Sequence, residues 1–371
     1  MKAGWLRRIV LTVHLYAGLF SALVLIVVGL SGTALAFRDN YYRWQHASFW
    51  KAEPGAKPLS ESELVASVEA AYAPGKVRSI RMFGPDSAHF MFTDTEEVLW
   101  VNRYDGKILD AGIGKSFANT LVIKSFELHT QLAAGPIGRL AVDIATYLAV
   151  VLVPTGFVLW WRVKRKSVKW SASWNRLVWD LHNCAGAFAG IPILFLAVTG
   201  SLIALRIPDS VFEASNPQLT LQNLISRRPA GASTMERLNI DTVLAAADAA
   251  LPGTRTEQVD FPGSPFEPYQ IRKRSGMGGH RSTVYVDQYS GDVLRADDGL
   301  KNSFGYRSYQ LGKRLHGGEM FGFGLKAVMF MAGLSMAVSG ITGAILGLRK
   351  IAGTIRRFRN RKPPAVTPAA P

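Results

Sequence analysis

The chain has 371 residues, is 48% hydrophobic and only 19% charged, and carries a formal charge of +16. This composition excludes a disordered chain, and one cysteine excludes a disulfide framework or a Cys-rich metal site. A basic excess of this size brings nucleic acid to mind as a partner, so where the charge sits decides the matter.

Four apolar runs are long enough to span a bilayer, which takes about 20 residues: Ile9–Phe37, Leu140–Trp161, Leu181–Leu205 and Ala327–Leu348. Lys2, Arg7 and Arg8 precede the first. Arg162, Lys164, Arg165, Lys166, Lys169 and Arg176 fill the short link between the second and third. Arg349, Lys350, Arg356, Arg357, Arg359, Arg361 and Lys362 follow the fourth. These 16 basic residues face one acid, Asp180, and leave the rest of the chain about neutral. This is the positive-inside pattern. It places both termini and the link in the cytoplasm, and it removes nucleic acid as the explanation of the charge. Trp160, Trp161, Trp170, Trp174 and Trp179 form an aromatic belt at that boundary. The N-terminus has a basic start and an Ala34-Leu35-Ala36 pattern. Its apolar run is too long for a cleaved signal, so it is expected to remain as a helix.

The predicted order is transmembrane helix 1 (1–37), an external module (38–117), an outer segment with transmembrane helix 2 (118–161) and a cytoplasmic link (162–180). Then come transmembrane helix 3 (181–206), a second module (207–310), an outer segment with transmembrane helix 4 (311–348) and a basic tail (349–371). In the first module Ser60 and Glu63 form a capping box ahead of a helix that stops at Pro74-Gly75. In the second, Asp241 is expected to be the N-cap of a helix that stops at Pro252-Gly253. Each helix is followed by strand-turn-strand patterns, so each module is expected to be a small α+β unit. The fold class is a polytopic α-helical membrane protein with two such modules.

The chain repeats itself. A shift of 168 residues aligns His14 with His182, Ala17-Gly18 with Ala185-Gly186, Gly32 with Gly200, and Arg38 with Arg206. A shift of 187 aligns His129 with His316, Arg139 with Lys326, and Thr155-Gly156 with Thr342-Gly343. The stretch Val101–Leu109 likewise matches Val286–Leu294. The unit is span, module, span, used twice.

A strand-turn-strand ending in Tyr289-Ser290-Gly291-Asp292-Val293-Leu294 after a helix resembles a PepSY domain. Two such domains among four spans, with His followed by Ala-Gly and a later Ser-Gly, resemble the PepSY-associated transmembrane proteins. That group includes iron-regulated inner-membrane proteins and FoxB-type ferrisiderophore reductases. The resemblance implies a bacterial inner-membrane protein that reduces a ferric siderophore or another ferric chelate and releases iron.

Four of the seven histidines fall at repeat-matched span ends: His14, His129, His182 and His316. Ionisable side chains in membrane segments are costly and usually functional. Topology pairs His14 with His182 at the cytoplasmic side and His129 with His316 at the outer side. Two imidazoles at one depth from different helices are what a bis-histidine haem needs, so two b haems are expected. Glu127 and Glu319 leave a non-haem metal open at the outer pair. Gly18 and Gly186, one turn beyond their histidines, are compatible with a flat cofactor or with close helix packing. Arg38 and Arg206, which end matched helices on the outer side, and Arg139 and Lys326, which start the others, are candidates for haem propionates or an anionic substrate. Arg139 is expected to pair with Asp143 one turn along its helix.

His129 lies 32 residues before Trp161, about 48 Å of straight helix. It should therefore sit at or above the outer interface unless the chain bends at Gly135-Pro136. Gly317, Gly318, Gly322 and Gly324 offer the matching bend. His46, His89 and His280 are expected to be surface residues. Arg272, Lys273, Arg274 and Arg281, around Gly276–Gly279, are expected to form a solvated basic loop.

No nucleophile, general base or hydride site is evident. The electron donor must come from outside the chain, as membrane quinol or a flavoprotein. Two other readings stay open: a PepSY membrane protein that binds or regulates an external partner, and a haem electron carrier for a different acceptor.

Overall fold

The computed structural model describes residues 2–45, 57–72, 76–82, 89–94, 98–111, 117–163, 167–207, 211, 224–227, 237–275 and 280–360. The chain divides into two compact units. One is built from residues 1–38, 121–206 and 312–371, the other from 39–120 and 207–311.

The first unit is helical. Four helices are long and apolar enough to cross a membrane: α1 (Lys2–Leu35), α5 (Gly135–Val163), α6 (Trp174–Ala204) and α9 (Gly322–Arg359). The protein is thus a multi-pass membrane protein. α1 packs on α5 and α9, and α6 packs on the same two helices. Neighbours run antiparallel. Leu15 lies by Gly347, Ile26 by Gly340 and Gly29 by Gly333, so residue numbers rise on α1 as they fall on α9. Small residues make this approach possible: a Cβ on Gly29 would meet the Gly333 carbonyl oxygen at 2.7 Å.

Two shorter helices precede the second and fourth spans, α4 (Phe117–Gln131) and α8 (Phe304–His316). Each is joined to its span by an elbow of left-handed residues. Leu132, Ala133 and Gly135 have φ of 52°, 52° and 57°, and Gly318, Phe321 and Gly322 have 70°, 60° and 57°. The expected bends are present in both halves. The apolar runs begin beyond these points, at Leu140 and Ala327, and no single straight helix runs through either elbow.

The second unit is one eight-stranded antiparallel sheet. Its strands are β1 (Val77–Arg81), β2 (His89–Thr93), β3 (Val98–Val101), β4 (Ile108–Ala111), β5 (Arg255–Asp260), β6 (Tyr269–Ser275), β7 (His280–Val286) and β8 (Val293–Asp297). Their spatial order is β4-β3-β2-β1-β5-β6-β7-β8. The two modules therefore join edge to edge, with Ile80 of β1 opposite Val259 of β5. That pairing covers two edges that would otherwise be exposed. α3 (Glu61–Ala71) and α7 (Ile240–Ala250) supply Leu64, Val68, Val243 and Ala247 to a core shared with Ile80, Met91, Val259 and Ile271.

Local chemistry explains the elements. The Ser60–Glu63 capping box is present. The N-cap of α7 is Asn239 rather than Asp241; the Asn239 side chain accepts from the Asp241 N–H. Asp241 instead accepts from the Glu61 backbone N–H at 3.1 Å, tying the starts of the two module helices together. Gly253 follows α7 with φ of 75°, while Pro74-Gly75 lies outside the described residues. The two matched turns close alike: the Gly106 N–H donates to the Asn102 carbonyl and the Gly291 N–H to the Asp287 carbonyl.

Two further expectations for this unit are corrected. His89 is buried, 1% exposed, with Nε2 3.0 Å from Glu61. Its alternation in β2 points it to the core face, beside Met91. The basic stretch is not a loop. Arg272, Lys273 and Arg274 lie in β6, paired with Thr283, Ser282 and Arg281 of β7. Lys273 is buried and bonds Asp248 and the Ala247 carbonyl at the end of α7. Gly276–Gly279 and His46 lie outside the described residues.

Candidate functional site

All four repeat-matched histidines fall in the helical unit and meet in two pairs. The ring centres of His14 and His182 are 6.1 Å apart, and those of His129 and His316 are 6.2 Å apart. His14 comes from α1 and His182 from α6. His129 reaches its place from α4 and His316 from α8, through the elbows. The bend resolves the length difficulty, because His129 packs beside Val28 and Gly32 of α1 instead of standing above the span.

Each histidine sits in the same seat. His14 Nδ1 is 3.0 Å from Thr155 Oγ1, and the Leu152 carbonyl also accepts from this ring. His182 Nδ1 is 3.1 Å from the Ser339 carbonyl and 3.2 Å from Thr342 Oγ1. His129 Nδ1 is 3.0 Å from the Val28 carbonyl and 3.4 Å from Ser31 Oγ. His316 Nδ1 is 3.0 Å from Thr199 Oγ1, with the Leu196 carbonyl beside it. The seat is thus a carbonyl at one position and a hydroxyl three residues on.

The next residue is always glycine. A Cβ at Gly156, Gly343, Gly32 or Gly200 would meet the Cε1 of its histidine at 3.2, 3.0, 2.9 or 3.1 Å. All four are closer than ordinary contact, so any side chain there would press on the ring.

This seat sets the tautomer. A carbonyl oxygen only accepts. Each hydroxyl donates its own proton to a carbonyl one turn back, as Thr155 does to Val151 at 2.8 Å and Thr199 to Phe195 at 2.9 Å. Nδ1 must therefore carry the proton, and Nε2 keeps its lone pair. None of the four Nε2 atoms has a hydrogen-bond partner among the described residues.

Each seat belongs to the histidine's own half. α5 holds His14, α1 holds His129, α9 holds His182 and α6 holds His316. The pairs, by contrast, form only between halves. One half fixes two histidines; two halves apposed make two facing pairs.

The pairs fit a shared metal centre. Imidazole nitrogens about 2.0 Å from a metal on either side of it put two ring centres roughly 6 Å apart. An Nδ1–H donated to a carbonyl or hydroxyl is the usual outer-shell partner of a ligating histidine. Glu127 pairs with Lys124 at 2.9 Å and Glu319 with Arg314 at 3.5 Å, so the acids open to a non-haem metal are engaged elsewhere. Among the described residues no group of three or more His, Cys, Asp or Glu could hold a metal ion.

Other candidates fall differently. Gly18 and Gly186 face Leu152 and Ser339 at ordinary contact distance, in line with helix packing. Arg206, with φ of 46°, pairs at 2.5 Å with Asp143. The expected Arg139–Asp143 pair is therefore replaced by one between α5 and the end of α6, because Asp143 turns towards its neighbouring helix. Arg38 begins α2 (Arg38–Gln45).

Six of the eight residues of the hydroxyl-glycine seats were visible as repeat matches; Ser31 and Thr199 were not. Their sequence signal is Ser31-Gly32, Thr155-Gly156, Thr199-Gly200 and Thr342-Gly343, at least one such dipeptide in each span, with Ser339-Gly340 a second in the fourth.

The family model of the PepSY-associated TM region matches residues 11–350. A comparison with curated proteins finds no match.

Proposed function

Because this chain belongs to the PepSY-associated TM family, and because its two halves bring four seated histidines into two facing pairs, we propose that it is a di-haem b electron-transfer protein of the bacterial inner membrane. His14 with His182 would hold one haem, and His129 with His316 the other. Arg38 and Arg206, at the ends of the first span of each half, would meet the propionate carboxylates. Haem iron supplies a one-electron carrier when bound.

The chain's own residues do the positioning. Each carbonyl-hydroxyl seat holds Nδ1–H and presents Nε2 to the opposite ring. Hydrogen bonding at Nδ1 raises the basicity of the ligating nitrogen. The seat glycines let the Nδ1–Cε1 edge of each ring approach a neighbouring helix closely. Apolar helix walls keep water from the pairs and lower the local dielectric.

With both imidazoles of each pair committed to holding a haem, an acceptor would be reduced without binding iron of the protein. The acceptor class is a ferric siderophore or other ferric chelate. One electron converts Fe³⁺ to Fe²⁺, and hard oxygen ligands hold the reduced ion less firmly. The electron comes from membrane quinol or a cytoplasmic flavoprotein. The charge pattern supports cytoplasmic termini, with the outer pair on the acceptor's side.

The paired ring spacing of 6.1 and 6.2 Å carries this reading. The test is a reduced-minus-oxidised spectrum with haem quantification on protein purified from haem-replete cells. Two b haems per chain are expected, reoxidised by ferric chelate. A colourless protein would overturn the proposal and favour a PepSY membrane protein that binds an external partner.

A further inference from the structure

The two halves differ at one matched corner. Where α5 meets the end of α6, Gln131, Pro136, Arg139, Leu140, Asp143 and Arg206 line a half-open cavity of about 430 Å³. The same repeat shifts carry Pro136 to Phe323, Asp143 to Phe330 and Leu205 to Phe37. There, Phe37 lies 5.6 Å from Phe323 and 5.8 Å from Phe330, ring centre to ring centre. Three aromatic rings meet at the corner between α1 and α9, where the matches of Arg206 and Arg139 are Arg38 and Lys326 and the match of Asp143 is an aromatic ring instead of a carboxylate.

The open corner carries two arginines against one carboxylate. Arg206 is paired with Asp143. Arg139 makes no hydrogen bond or ion pair among the described residues, and neither does the Gln131 side chain. An unpaired guanidinium prefers an anion, and a phosphate matches its fork of donors. The cavity lies in the first two turns of a membrane span. Ile137, Leu140 and Ile144 continue from it along one helix face, and all three are exposed. A ligand seated here has a charged head and apolar chains.

The geometry points to a binding site for one anionic phospholipid, its phosphate on Arg139 and its acyl chains along Ile137, Leu140 and Ile144. The hydroxyl-bearing head of a phosphatidylglycerol would meet the Gln131 amide. The matched corner has Phe323 and Phe330 where this one has Pro136 and Asp143, so one such site per chain is expected. Unlike the di-haem reading, the site does not depend on the histidines.

The experiment is native mass spectrometry on the full chain, delipidated in mild detergent and titrated with phosphatidylglycerol or phosphatidylcholine. The wild type is expected to hold one phosphatidylglycerol about tenfold more tightly than phosphatidylcholine, the size of one charge-assisted hydrogen bond. Millimolar inorganic phosphate is expected not to displace it; displacement would mean that the corner binds free phosphate and would overturn the lipid proposal. Arg139→Gln should abolish the preference at unchanged melting temperature. Asp143→Phe, which copies the matched residue of the other half, should exclude the lipid as well. Equal binding of the two lipids by the wild type, or an intact preference in folded Arg139→Gln, would sink the proposal. So would loss of haem rather than lipid from Arg139→Gln, since the cavity would then serve the cofactor.

Discussion

The two halves of the chain carry the same histidine seat twice and differ in what surrounds it. In each half a carbonyl, a hydroxyl and a glycine on one helix receive an imidazole from another, at spacings that agree within a few tenths of an ångström. The elbows that deliver His129 and His316 differ in residue type. The first bends through Leu132 and Ala133, the second through Gly318 and Phe321. One corner is a charged cavity and the other a cluster of phenylalanines. Duplication has thus kept the parts that hold the rings and released the parts that merely connect them. A facing pair needs equal contributions from both sides, so the seats must remain alike for the pairs to close.

The largest expected effects test that equality. On the di-haem proposal, His14→Ala and His182→Ala should each remove roughly half of the bound haem, because one of the two proposed centres would lose a ligand. His129→Ala and His316→Ala should each remove the other half. Haem quantification on purified variants checks this, and unchanged spectra in any of the four would break the symmetry argument. Valine at a seat glycine comes next. Gly32→Val should displace the His129 ring from its 2.9 Å contact and cost about 1–3 kcal/mol of overpacking. Gly200→Val should do the same to His316, and the reduced spectrum of the outer centre should fall alike in both.

A smaller effect is expected at the hydroxyls. Thr155→Val and Thr342→Val each remove one acceptor from Nδ1 and leave a carbonyl in place, a change of about 1 kcal/mol. Both should make the ligand less basic and raise the midpoint potential of the inner centre, by equal amounts. Redox titration measures it, and a potential that falls, or that moves in only one variant, would contradict shared seating.

The smallest effect separates the modules. Asp287 closes the turn of the second module, where the first has the neutral Asn102. Burial pushes the Asp287 carboxyl up, but the N–H groups of Ser290, Tyr289 and Arg227 and the Ser226 hydroxyl together hold it below the usual carboxylate range. A group held low when folded adds stability above its unfolded pKa and loses it as pH falls through the folded value. Protection from hydrogen exchange at the β7–β8 turn should therefore fall in acid below about pH 4, and fall less at the β3–β4 turn, where Asn102 is neutral and the more exposed Asp105 is held low by the Lys107 N–H. Asp287→Asn should flatten that difference.

Much of the site was legible in the residues. The four histidines, their pairing by depth and the elbows all follow from spacing, because helix rise and bilayer thickness are fixed lengths. His89 was misread because an isolated histidine in an alternating strand carries no sign of which face is inward. Asp143 was misread because a helix offers it Arg139 one turn away, and only packing brings Arg206 closer. The union of two modules in one sheet was likewise hidden, since edge pairing between β1 and β5 joins segments far apart in sequence.

What the sequence determined by itself is local or periodic: four spans, their charge bias, the duplication and the matched histidines. Hydrophobic length and repeat register carry that information along the chain. What the tertiary structure decided is where those repeats touch. It set each Nδ1 on a carbonyl and a hydroxyl of another helix, brought rings from opposite halves within 6.1 and 6.2 Å, and left one corner open while three aromatic rings meet at its twin. These depend on distances between helices, which a linear pattern does not encode.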